Sequence, residues 1–191
     1  MMPDLGMLLI GLFLPLFPLS MAFNAVFERI DHPLPRSMLL LAWPQAGLWA
    51  LSTYAATIPS WLVFWALGTA LLYAFRLLAM REMGRWTGFL ATSAWALLWL
   101  PAYAGIPGSE LWAFAAGFSI TLVFLALLAA TRTRRFGAAY TGLYGGLARR
   151  MPRFSGVLVI GILAATATPR VPSFVAMLKA LIVSQPRPAG A

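Results

Sequence analysis

The chain has 191 residues, of which 61% are hydrophobic and 10% charged, against about 45–50% and about 25% in soluble domains. That much apolar surface excludes an ordinary soluble fold and points to a bilayer. All but one of its 14 basic residues are arginine, the formal net charge is +9, and the lack of cysteine excludes disulfides, thiolate metal sites and cysteine nucleophiles.

A spanning helix needs about 20 mostly apolar residues. On that measure the pattern predicts one all-α transmembrane domain over residues 1–191, a polytopic bundle of about six helices. The first span covers 5–26. Asp4 precedes it and no Lys or Arg does, so it reads as a retained helix rather than a signal peptide. A polar connection through Glu28, Asp31 and the single histidine, His32, leads to a second span over 38–58, with Pro44 inside it. One histidine excludes a haem held by two histidines of this chain. Pro59 and Ser60 form a turn into a third span over 61–80, and a charged stretch over 81–85 separates it from a fourth over 87–104. A glycine-proline turn over 105–109 precedes the fifth, over 110–130.

The segment 132–153 is the most basic, with Arg132, Arg134, Arg135, Arg149, Arg150 and Arg153. Its Gly- and Tyr-rich middle is too polar to span, and it reads as a cytoplasmic loop lying along the membrane surface. The sixth apolar run covers 154–183. As one straight helix it would reach about 45 Å, too long for a hydrocarbon core of about 30 Å. Pro169 and Pro172 are predicted to break it.

Apart from Arg170 and Arg187 near the C-terminal end, the arginines fall in or beside the odd-numbered connections: Arg29 and Arg36 in the first, Arg76, Arg81 and Arg85 at the third, and the six just named in the fifth. The second and fourth connections hold none. The positive-inside rule then places the odd connections in the cytoplasm and the N-terminus in the periplasm of a bacterial inner membrane. The basic residues thus set topology, and no nucleic-acid partner is implied. Trp61, Trp86 and Trp112 fall at helix ends, where indoles favour the interface; Trp43, Trp49, Trp95 and Trp99 lie deeper and read as packing residues.

No acidic residue falls in the middle of a predicted span, where an ion carrier needs titratable groups. Two basic residues are the ion-path candidates. Arg76 lies near the cytoplasmic end of the third span, and its alternative role is to snorkel to the headgroups. Lys179 follows the broken helix; if buried it could exchange a proton, and its alternative is an interfacial anchor. Ser52, Thr53, Thr92, Ser93 and Thr121 can bond across helices or to their own backbone. No nucleophile motif, metal-ligand spacing or cofactor motif is visible, so an enzyme is not expected. Gly145-Gly146 lacks the following Lys-Ser/Thr of a phosphate loop.

One region carries a likeness. Over 125–179 the matching positions are Arg132-Thr133, Gly145-Gly146-Leu147, Ala148-Arg149-Arg150-Met151-Pro152, Pro169 and Phe174. This stretch resembles the antiporter-like L, M and N type membrane subunits of respiratory complex I and the related Mrp antiporters. The resemblance covers about a quarter of the chain. It implies a shared helical architecture and membrane-subunit partners, above all a full-length antiporter-like subunit, together with lipids. Members of that family have about fourteen helices and a Lys or His on the helix corresponding to 110–130, which this chain lacks. The expectation is therefore an accessory subunit of a proton- or sodium-translocating complex. The alternatives are a structural or assembly subunit of another respiratory or photosynthetic complex, and an independent small transporter.

Overall fold

The computed structural model describes residues 2–54, 57–137, 139 and 151–165. Among these residues every regular element is an α-helix: α1 (Met2–Phe13), α2 (Ser20–Arg29), α3 (Pro33–Tyr54), α4 (Ser60–Ala79), α5 (Met83–Ala96), α6 (Trp99–Tyr103), α7 (Gly108–Phe136) and α8 (Pro152–Ala165).

Local chemistry sets the boundaries. Proline lacks an N–H and its ring clashes with the carbonyl four residues back. The predicted first span is accordingly not one helix: Pro15 and Pro18 split it into α1 and α2. The predicted fourth span is split at Leu97 and Leu98, where Pro101 cannot donate to the Leu97 carbonyl and the Leu100 N–H takes it at 3.2 Å. Pro59, in an extended conformation, immediately precedes α4, and Pro107 immediately precedes α7. Gly137, at φ +77°, closes α7 with a bond from its N–H to the Thr133 carbonyl. Only a residue tolerant of left-handed backbone ends a helix this way cheaply. The helix thus runs past the predicted 130 and carries Arg132, Arg134 and Arg135 on its last turns.

By length and composition α4 and α7 are long and apolar enough to cross a membrane. α3 has 22 residues but carries Arg36, Ser37 and Gln45. The first and fourth predicted spans reach membrane length only as α1 plus α2 and α5 plus α6. The predicted break at Pro169 and Pro172 lies outside the described residues, as do Lys179, Phe174 and Gly145-Gly146-Leu147.

α7 packs against α3, α5 and α8; α5 also meets α4 and α2; α1 meets α3. Phe23, Leu40, Trp95, Trp99 and Leu125 fill the centre and are almost wholly buried. Two glycines permit close approaches at the centre of the packing. A Cβ on Gly47 would lie 2.9 Å from backbone atoms of Phe13 and Leu14, and one on Gly88 would lie 2.9 Å from the Phe27 ring. Outward-facing positions are also apolar. On α4, Trp61, Phe64, Leu71, Phe75 and Leu78 are exposed, Leu78 at 83%. Water-soluble surfaces rarely present so large a contiguous apolar patch.

The basic connections meet at one end. Arg85 pairs with both Glu28 and Glu82, and the Arg36 guanidinium lies beside Gly84. The Met83 N–H bonds the Ala139 carbonyl, and Arg135 and Arg153 border one cavity. At the opposite end Gly6 packs on Tyr54.

Candidate functional site

The break between α1 and α2 interrupts the helical backbone inside the bundle. In a continuous helix the Leu14 carbonyl would accept from residue 18, but Pro18 has no N–H. The Trp99 indole donates to it instead, at 3.2 Å. The Leu16 N–H turns to the Gly11 carbonyl, which frees the Leu12 carbonyl for the Trp43 indole at 3.2 Å. The Met21 N–H turns to Pro18, and the Trp65 indole takes the Phe17 carbonyl at 2.7 Å. The Phe17 N–H, with no helical acceptor, donates to the Thr69 hydroxyl at 3.1 Å. Four side chains from α3, α4 and α6 thus satisfy groups that the prolines release. Buried backbone groups left unpaired would each cost about 1–3 kcal/mol, and irregular backbone at membrane depth requires such partners.

A polar seam continues from the break along α2. Ser20 Oγ and the Tyr73 hydroxyl share a hydrogen bond at 2.9 Å. Asn24 donates from Nδ2 to the Ser20 carbonyl and to Thr92 Oγ1, both at 3.0 Å, and Thr92 donates to the Gly88 carbonyl. Ser93 donates across to the Ala70 carbonyl. The seam is uncharged, and its hydrogen bonds tie α2, α4 and α5 together. Beside it Phe23 packs edge-on to Trp95, with ring centroids 4.9 Å apart.

The basic end is the second feature. Arg36 donates to the Phe27 carbonyl at 3.1 Å and stacks over the Phe27 ring at 4.5 Å. Burial pushes its pKa down, while Glu82, Asp31 and Glu28 pull it back up. Arg132 is 5% exposed and reaches the Met83 sulfur at 3.6 Å. Among the described residues the Nε atoms of Arg36 and Arg132 have no hydrogen-bond partner.

Of the two ion-path candidates, Arg76 is exposed, with its guanidinium over the Tyr73 and Phe89 rings at 5.7 and 4.8 Å. That geometry suits snorkelling, with the stem on aromatic surface and the charge outward. Lys179 lies outside the described residues. Of the motif positions, Met151 immediately precedes α8 and Pro152 opens it, where a missing N–H costs nothing. Among the hydroxyls, Thr92 and Ser93 bond across helices, whereas Ser52, Thr53 and Thr121 bond carbonyls of their own helices. Trp95 and Trp99 are buried packing residues; Trp49 is not, being 58% exposed beside Tyr54. Sequence reasoning missed Ser20, Asn24, Tyr73, Trp65 and Thr69. The signal was present in Pro15 and Pro18, which imply carbonyls in need of donors. No protein-family model matches the chain, and no match is found among curated proteins.

Proposed function

We propose that the chain is a multi-pass helical protein of a bacterial inner membrane, with about six spans, its basic end in the cytoplasm and its N-terminus in the periplasm. In this reading it is a non-catalytic accessory subunit of a larger proton- or sodium-translocating complex and packs beside a full-length antiporter-like subunit. The observation that carries the reading is the chemistry of the interior. Among the described residues the only buried charged side chain is Arg132, at the basic end, and the other buried polar side chains are Ser, Thr and Asn, joined by the Tyr73 hydroxyl. Proton and ion paths need titratable or coordinating groups spaced through the bilayer. Arginine stays protonated and is a poor relay. An interior of this kind supports packing rather than conduction. The exposed aromatic and aliphatic face of α4 supports contact with lipid or another membrane chain.

A purely structural subunit of another complex shares that support, because the clamped break and the seam serve stability equally well. Tagged protein purified in mild detergent is expected to bring down a larger antiporter-like subunit. The chain reconstituted alone in liposomes is expected to give no proton or sodium flux above empty liposomes. Recovery with a complex that moves no ions supports the structural reading; strong flux from the chain alone contradicts both.

A further inference from the structure

Between the last turn of α7 and the first turns of α8 lies a cavity of about 750 Å³, bordered by Arg135, Met151, Pro152, Arg153, Phe154 and Val157. That size suits a small-molecule or headgroup site. Two guanidiniums border it and, among the described residues, no carboxylate does. No Asp or Glu follows Glu110 in the sequence. Of the carboxylates at the basic end, Glu28 and Glu82 are engaged with Arg85, and Asp31 acts on Arg36. The N-terminal turn of α8 adds its partial positive charge to the same side. The rest of the wall is apolar and continues along α8, where Phe154, Val157 and Ile160 recur at every third residue, with Ile160 64% exposed.

A ligand matching these features has an anionic, oxygen-rich head and a hydrocarbon tail. We propose that the cavity holds the headgroup of an anionic phospholipid, with Arg135 and Arg153 on the phosphate and one acyl chain along Phe154, Val157 and Ile160. The charge complementarity selects the head, and the apolar stripe distinguishes a lipid from free phosphate. This inference rests on the membrane reading above. Paired arginines suit phosphate because each presents several N–H donors in a fixed fork.

The test uses the full chain in mild detergent micelles, titrated with phosphatidylglycerol or phosphatidylcholine and read by native mass spectrometry. Wild type is expected to retain phosphatidylglycerol preferentially. Arg135→Gln and Arg153→Gln are each expected to weaken retention about fivefold, the effect of one basic residue at a lipid surface. Arg134→Gln, on the same turn but outside the cavity wall, is the charge-matched control and is expected to change little. Unchanged helical circular dichroism in each variant guards against misfolding. Equal losses in all three variants would mean diffuse attraction and overturn the site. Equal retention of the two lipids by wild type would overturn it as well. Displacement of the lipid by inorganic phosphate at equal concentration would identify a simple anion site and refute the lipid assignment. A chain that stays soluble without detergent would sink the membrane reading itself, and this inference with it.

Discussion

Trp99→Ala is expected to be the most damaging single truncation in the described bundle. Trp99 is fully buried, and its indole N–H is the partner of the Leu14 carbonyl. Truncating a buried large aromatic costs about 3–5 kcal/mol through lost transfer energy and a residual cavity. The Leu14 carbonyl would also lose its donor, at about 1–3 kcal/mol, in a place where Pro18 cannot supply one. Trp99→Phe separates the two effects: it keeps most of the ring and removes only the donor, so a loss of about 1–3 kcal/mol is expected. Both are measured by titrating detergent-solubilised protein with a denaturing detergent and following helical circular dichroism. A Trp99→Phe variant as stable as wild type would show that the clamp contributes nothing to stability.

Gly47→Leu is the second change expected to have a large effect. The would-be Cβ meets Leu14 N and Phe13 C at 2.9 Å, and these are backbone atoms of the segment entering the break. A flexible side chain could rotate away; a backbone held by three indoles cannot do so cheaply. Overpacking of this kind costs about 1–3 kcal/mol and occasionally more. Here α3 must separate from α1, or the clamp must open. Gly68→Ala on α4 is the contrasting control. Nothing lies within 4 Å of its Cβ, and alanine is the better helix former by about 1 kcal/mol. That variant is expected to be as stable as wild type or slightly more so. Equal behaviour of the two glycine variants in the same unfolding assay would contradict the close approach of α3 to the break.

The contrast between these sites shows what could be read in the sequence. Helical character followed from long apolar runs and needed no tertiary information. The meeting of the basic connections at one end was implied by the alternation of arginine-rich and arginine-free connections, and the Glu28–Arg85–Glu82 contacts agree with it. The breaks were harder to see, because a run of apolar residues such as 5–26 reads as one span when only hydropathy is weighed. Pro15 and Pro18 carried the contrary signal locally. The identity of the donors was not legible at all. Trp43, Trp65 and Trp99 lie 31, 48 and 85 residues from their acceptors, so only the packed bundle reveals the pairing. Asn24 was overlooked for a related reason. A single amide near the end of an apolar run looks incidental until Thr92, 68 residues away, is found at 3.0 Å.

Single-cysteine labelling tests the membrane reading most directly, because the chain has no cysteine of its own to remove. Gly108→Cys and Arg134→Cys place thiols at opposite ends of α7, a helix of 29 residues. Both positions are exposed, and a Cβ on Gly108 meets nothing within 4 Å. In intact cells a membrane-impermeant maleimide is expected to label position 108 and to leave position 134 unlabelled until the membrane is permeabilised. Labelling of 134 in intact cells, or labelling of neither position before permeabilisation, would contradict a bundle that spans the membrane with its basic end in the cytoplasm.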